Sequence, residues 1–120
     1  MKVALSSSGN TLESPLDSRF GRAPFFVIMD TETNDFQVID NSQNLNATQG
    51  AGVQSSQTVI NAGVDALITG HVGPNAFMIL QQAGIKIYQS DATSVQQALE
   101  QLNAGSLKEA QSADVRGHWK

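Results

Sequence analysis

Short apolar runs of strand length are separated by polar segments in the first third of the chain. The run "KVALS" at residues 2–6 predicts a first strand, and "TLESPLDSRFGRAP" after it, with two prolines, predicts an irregular loop. The runs "FFVIMD" and "DFQVID" lie on either side of the polar turn "TETN". This pattern predicts an antiparallel hairpin of Phe25–Asp30 and Phe36–Asp40.

Strands and helices alternate in the second half of the chain. The runs "VDALIT" and "IKIYQ" predict two further strands, and helical spacing predicts helices that begin near Val53, Pro74 and Val95. The helical pattern rests on Val53, Ser56, Gln57, Ile60 and Val64 in the first helix, on Phe77, Leu80 and Ala83 in the second, and on Val95, Leu99 and Leu102 in the third. Each helix is followed by a terminating glycine: Gly63, Gly84 and Gly105.

The order of these elements predicts an α/β fold with a five-stranded mixed sheet. One strand is expected to be antiparallel, and about three helices are expected on the faces of the sheet. Ligands of such sheets gather at the carboxyl ends of the parallel strands. The turns after the first and fourth strands and the connector before the first helix are therefore expected to converge. We expect a single domain over residues 1–107 and a flexible polar tail over residues 108–120, which includes His118 and Trp119.

Composition narrows the possible functions. The chain has 120 residues, of which 15% are charged, and its net charge is -4. This charge argues against a nucleic-acid partner bound by phosphate neutralisation. The absence of cysteine excludes disulfides, thiolate-ligated clusters and cysteine nucleophiles. No apolar run is long enough for a signal peptide or a membrane span, so we expect a cytoplasmic protein that uses no membrane.

The loop "DSRFGRAP" is the first candidate for anion binding. Arg19 and Arg22 flank Gly21 in a chain with seven basic residues. Two guanidinium groups on one loop can bind an anion through several donors. The alternative is a solvated loop in which Asp17 neutralises one arginine, and the sequence leaves both open.

The stretch "QGAGVQSSQ" is the second candidate. Gly50 and Gly52 precede a helix, so backbone N–H groups there can form an anion-binding nest. The string resembles G-x-G-x-x-G, but the third position is Ser55 and no strand precedes it, which disfavours a dinucleotide site. The alternative is a helix start whose small residues allow close packing.

The stretch "GHVGPNAF" is the third candidate. Gly70 and Gly73 bracket His71 and Val72, and glycines here allow the backbone to approach a ligand closely. The start of the following helix at Pro74 favours negative charge, and Asn75 adds a donor or an acceptor. His71 is a cationic donor, a metal ligand or only a loop histidine.

The motifs "SRFGRAPFF", "GAGVQSSQ", "GHVGPNAF" and "GIKIY" together resemble the nitrogenase iron–molybdenum cofactor accessory domain family. The resemblance extends from Met1 to about Leu107. It implies a ribonuclease-H-like fold and a protein, not an enzyme, that binds or carries metal–sulfur clusters during cofactor assembly. Similarity to the small stand-alone members implies a molybdenum–copper sulfide cluster or a related molybdenum or iron–sulfur cluster. Such a cluster is held without covalent attachment, so the chain is expected to be isolable as apoprotein.

The resemblance also implies a set of cluster-binding residues and a class of partners. A sulfide cluster is a polyanion with polarizable faces, which needs positive charge, N–H donors and apolar contact. The residues expected to contact it are Arg19, Phe20, Gly21, Arg22, Gly50, Ala51, Gly52, Gly70, His71, Val72, Gly73, Pro74 and Asn75, with Phe77 equally suited to the core. The partners expected are cell-division or cofactor-assembly proteins.

Three alternatives remain open from the sequence. The first is a protein–protein adaptor without cofactor, and the second is a chaperone in iron–molybdenum cofactor assembly. The third is a nucleotide- or phosphate-binding enzyme. No P-loop or pair of Mg²⁺-binding carboxylates is recognisable, which makes the enzyme the least supported of the three.

Overall fold

A mixed five-stranded sheet forms the centre of the computed structural model, which describes residues 1–44 and 50–113. The strand order is β3-β2-β1-β4-β5. As predicted, one strand is antiparallel: β2 runs opposite to the other four strands. The strands are β1 (Lys2–Ser7), β2 (Phe25–Asp30), β3 (Phe36–Asp40), β4 (Ala66–Thr69) and β5 (Lys86–Gln89).

Three α-helices cover the two faces of the sheet: α1 (Ala51–Asn61), α2 (Pro74–Gln82) and α3 (Val95–Asn103). Side chains alternate along each strand, so Ala4 and Leu67 pack with α1 and α2, whereas Val3 and Ile68 pack with α3. The terminating glycines are confirmed, because Gly63, Gly84 and Gly105 have φ of +72°, +80° and +72°. Within the described ranges, no helix is long and apolar enough to cross a membrane.

The buried face of α1 differs from the predicted pattern. Val53 is 44% exposed, and the residues that α1 buries are Ala51, Ser55, Ser56 and Val59. Gly52 in the same helix lies against α2, since a Cβ atom added to it would be in ordinary van der Waals contact, at 3.4 Å, with Cβ of Ala76. The buried face of α1 thus consists of small and polar residues together with one large apolar side chain, Val59.

The buried face of α2 differs less from the predicted pattern. Phe77 and Leu80 are buried as predicted, but Ala83 is exposed and Ala76 takes its place on the inner face. On α3, Val95 and Leu99 are buried as predicted.

The segment after α3 returns to the edge of the sheet. The N–H of Ala110 donates to the carbonyl oxygen of Ile87 at 2.7 Å, and Glu109 forms a bridge with Tyr88. These contacts occupy part of the edge of β5, which limits its pairing with other chains. The domain boundary at residue 107 stays a prediction, and residues 114–120, with His118 and Trp119, lie outside the described ranges.

Candidate functional site

The loop after β1 crosses to the loop after β4 at the carboxyl edge of the sheet. The N–H of Phe20 donates to the carbonyl oxygen of His71 at 3.3 Å, and the N–H of His71 donates to the carbonyl oxygen of Ser18 at 2.8 Å. The predicted convergence of these turns is therefore confirmed. The crossing also fills the space between β1 and β4, where open α/β sheets commonly bind ligands.

Two glycines permit this crossing. A Cβ atom on Gly70 would lie 2.7 Å from Cα of Ser18, and one on Gly21 would lie 2.9 Å from the backbone nitrogen of Gly52. Both distances are too short for a methyl group to fit without displacement of backbone. Close packing of the loop after β1 therefore accounts for glycine at position 70 without a ligand, and the expected ligand contact of Gly70 stays a prediction.

A buried polar network lies beneath the crossing. The hydroxyl of Ser6 lies 2.6 Å from the carbonyl oxygen of Asp17 and 2.7 Å from Oγ1 of Thr69. The carboxylate of Asp17, which is 6% exposed, accepts hydrogen bonds from the hydroxyl of Ser8 and from the backbone N–H of Arg19. Asp17 thereby holds the loop after β1 in a fixed conformation.

Arg19 is ion-paired with Asp17, which is the alternative that the sequence left open. Nε and Nη2 of Arg19 each lie 3.2 Å from a carboxylate oxygen of Asp17. The hydrogen bond and the charge of Asp17 raise the pKa of Arg19. The Arg19 side chain remains 51% exposed, so it can contact a ligand, but Asp17 balances its charge.

Asn41 joins the loop after β1 to α1, a role that no motif indicated. Its Nδ2 donates to the carbonyl oxygen of Ala23 at 2.8 Å and to Oγ of Ser55 at 3.0 Å. Asn41 is fully buried, and Ser55 lies where a dinucleotide-binding motif has its third glycine. Sequence alone does not distinguish Asn41 from the exposed carboxamides near it.

The amino ends of α1 and α2 differ from that of α3. Gly50 and Gly73 are the N-cap residues of α1 and α2, no side chain caps either helix, and neither first turn contains an acidic residue among the described residues. The two helix starts are adjacent, since Gly52 lies against Ala76. The positive ends of two helix dipoles therefore lie side by side at the carboxyl edge.

In the first turn of α3, by contrast, the backbone N–H groups donate hydrogen bonds to other groups of the protein. Oγ of Ser94 accepts from the N–H of Gln97 at 3.0 Å. The N–H groups of Val95 and Gln96 donate to the carbonyl oxygens of Ser14 at 3.0 Å and of Leu12 at 2.9 Å. The fold thus satisfies the donors of one helix start and leaves two helix starts without a side-chain cap.

Apart from Arg19, Gly21 and Arg22 in the loop after β1, the predicted cluster-binding residues divide into three groups. Phe20 and Val72 are each 2% exposed, so their side chains belong to the core and the expected contact with a ligand through them is wrong. Gly50–Gly52 and Gly73–Asn75 lie at the starts of α1 and α2. Gly70 and His71 line a different concavity, on the side of α3.

The donor set of this edge suits an anion better than a metal ion held by protein ligands. Within the described ranges, no group of three His, Cys, Asp or Glu side chains could hold a metal ion. The groups present are the arginines of the loop after β1 and the first turns of two helices. Arginine and backbone N–H groups bind negative charge without forming coordinate bonds.

The chain matches known proteins over most of its length. Residues 1–105 match the sequence model of the family described as dinitrogenase iron-molybdenum cofactor. An uncharacterized protein of Methanocaldococcus jannaschii is 32% identical over 111 residues, which are 90% of this chain and 90% of that protein.

Two solved structures combine sequence similarity with the same fold. The apo form of the orange protein from Desulfovibrio gigas is 35% identical and has a TM-score of 0.91, with 95% of this chain and 96% of that chain covered. A NifB-like Thermotoga protein of the DUF35 family, solved by NMR, is 37% identical with a TM-score of 0.80. There the coverage is 90% of this chain and 91% of that chain.

Proposed function

Because the chain belongs to the dinitrogenase iron-molybdenum cofactor family, we propose that it carries an anionic metal–sulfide cluster as non-covalently bound cargo. The cluster binds at the carboxyl edge of the sheet, against the first turns of α1 and α2. The protein acts as a scaffold or carrier and catalyses no reaction. Our more specific proposal is a cluster of the molybdenum–copper sulfide type.

One observation carries the choice of site: the two adjacent helices begin with glycine N-caps, without side-chain caps or acidic residues in their first turns. The cluster accepts hydrogen bonds from these N–H groups through its sulfide atoms. The helix dipoles and the arginines of the loop after β1 stabilise its negative charge. The absence of cysteine is compatible with this mode, since the cluster supplies its own sulfur.

Gly73 distinguishes this site from a purely structural helix start. Its φ of -75° is accessible to any residue, and a Cβ atom there would meet nothing within 4 Å. Neither backbone conformation nor protein packing therefore requires glycine at this position. A ligand that contacts the backbone at the start of α2 accounts for it.

Reconstitution tests the proposal directly. The apoprotein is incubated with tetrathiomolybdate and a copper salt and then passed through a gel-filtration column. We expect intense visible absorption that elutes with the protein, together with molybdenum and copper in the same fractions. Colourless protein fractions would contradict the proposal.

The arginines are tested by charge removal. The double substitution Arg19→Ala and Arg22→Ala should weaken cluster retention about threefold to tenfold, as expected for two partly exposed charges. Because Asp17 balances the charge of Arg19, Arg19→Ala alone should have a smaller effect than the double substitution. The control is Lys86→Ala, an exposed cation at the start of β5 on the opposite edge. Retention that is equal in all variants would remove the arginines from the site.

Assembly of an iron–molybdenum cofactor is the second candidate, favoured by the description of the family. It uses the same site but takes an iron–sulfur precursor as cargo. Anaerobic reconstitution with iron and sulfide, with and without molybdate, separates it from the molybdenum–copper proposal by metal analysis of the protein fractions. An adaptor without cofactor predicts colourless protein in every reconstitution.

A further inference from the structure

The space lined by Gly70 and His71 is a groove of about 690 Å³ on the α3 side of the sheet. It lies over the carboxyl ends of β4 and β5, is open to solvent, and is bordered by the segment after α3, including Leu107 and Lys108. Its volume falls within the range typical of small-molecule sites. The first turns of α1 and α2 do not line it, so it is separate from the proposed cluster site.

The groove contains charges of both signs that the protein does not pair. Asp91 and Lys108 both line it, and neither forms an ion pair within the described ranges. The other charges of the chain in these ranges lie outside the lining. A cation and an anion therefore face the same small space without neutralising each other.

The carboxamides that line the groove are held in defined orientations. Nε2 of Gln89 donates to the carbonyl oxygen of Gly70 at 3.2 Å, which leaves Oε1 as an acceptor. Oε1 of Gln101 accepts from the hydroxyl of Ser90 at 2.6 Å, which leaves Nε2 as a donor. The lining thus offers hydrogen-bond donors and acceptors together with one cation and one anion.

We propose that this groove binds a small zwitterion, an α-amino acid with an aliphatic side chain. Its carboxylate is bound by Lys108 and Nε2 of Gln101, and its ammonium group is bound by Asp91 and Oε1 of Gln89. The aliphatic side chain contacts Leu107, which is partly buried against the core on the α3 side. A zwitterion can pair with both charges of the groove, whereas a ligand with a single charge can pair with only one of them.

The test is a titration of ¹⁵N-labelled full-length protein with each of the proteinogenic amino acids. We expect saturable shifts of the backbone signals of the groove residues for L-leucine or a similar aliphatic amino acid, with a Kd of about 1 mM or tighter. 4-Methylpentanoate lacks the ammonium group and 3-methylbutylamine lacks the carboxylate. Each should bind at least about tenfold more weakly than leucine.

Two variants test which groove residue binds the carboxylate and which binds the ammonium group of the ligand. Lys108→Gln should weaken leucine binding about tenfold and abolish the preference for leucine over the amine. Asp91→Asn should also weaken leucine binding about tenfold, but it should abolish the preference for leucine over 4-methylpentanoate. The controls, Lys86→Gln and Asp35→Asn, replace exposed charges outside the groove and should change nothing.

Absence of saturable shifts up to about 10 mM for all amino acids would overturn the proposal. Equal binding of the singly charged analogues, or unchanged binding in both groove variants, would also overturn it. None of these outcomes depends on cluster reconstitution, because the groove and the first turns of α1 and α2 are lined by different residues.

Discussion

The Gly70→Ala variant is expected to lose about 2–3 kcal/mol of its free energy of unfolding, the cost typical of an overpacked site. The added methyl group would lie 2.7 Å from Cα and 2.8 Å from the carbonyl oxygen of Ser18. Backbone cannot move aside as a flexible side chain can. The crossing of the two loops, with its hydrogen bonds between Ser18, Phe20 and His71, must therefore open. Urea unfolding followed by circular dichroism measures the change.

Gly73→Ala is the matched control, three residues further along the same loop. No atom lies within 4 Å of the added methyl group, so the free energy of unfolding should fall by less than about 1 kcal/mol, the cost of alanine at an N-cap. Cluster retention should nevertheless weaken about tenfold, because the methyl group separates the sulfide atoms from the first turn of α2. A Gly73→Ala variant that retains the cluster fully would contradict the site, and a Gly70→Ala variant of full stability would contradict the crossing.

The Asn41→Ala variant is expected to lose about 2–3 kcal/mol, because the buried carbonyl oxygen of Ala23 and the hydroxyl of Ser55 both lose a donor. The loop that carries Arg22 would lose one of its ties to α1 and keep the bond from the hydroxyl of Ser55 to the carbonyl oxygen of Gly21, so cluster retention should fall as well. Thermal unfolding and the reconstitution assay give the two readouts.

Asn61→Ala is the corresponding control at an exposed position at the end of α1. Its Oδ1 accepts one hydrogen bond from Nε2 of Gln57 on the surface, so its removal should change stability by less than about 0.5 kcal/mol. Equal losses in the two variants would mean that the bonds of Asn41 contribute nothing specific.

The hairpin shows how much of the fold can be predicted from this sequence. Its strands begin and end at the predicted residues, because two apolar runs joined by a short polar turn have one favourable pairing. The terminating glycines were equally predictable, since a left-handed residue at the end of a helix is nearly always glycine. These features depend on neighbours in sequence.

The inward face of α1 could not be predicted in the same way. Its buried residues include Ser55, which lay outside the predicted helical pattern, and exclude Val53, which belonged to it. The hydroxyl of Ser55 bonds to Asn41 across a gap of 14 residues, whereas the hydroxyl of Ser56 donates within the helix to the carbonyl oxygen of Gly52 at 2.7 Å. Hydrogen bonds within the fold replace the bonds to water that would otherwise keep these hydroxyls outside.

The glycine-rich stretches illustrate the same distinction at the candidate site. The sequence predicted that Gly70 and Gly73 allow the backbone to approach a ligand closely, but not what lies beside each glycine. In the structure, protein backbone lies against Gly21 and Gly70, whereas the space beside Gly73 is open. Only the last of these supports a ligand.

The sequence by itself determined the strands, the helices, the sheet with its single antiparallel strand and the edge at which the glycine-rich turns meet. All of these follow from hydrophobic periodicity and local backbone preference, which act over a few residues. The tertiary structure alone decided that Asp17 pairs with Arg19, that Phe20 belongs to the core, and that the starts of α1 and α2 lie together without side-chain caps. Pairing, burial and helix proximity depend on distances between residues far apart in sequence, and those distances exist only once the sheet has formed.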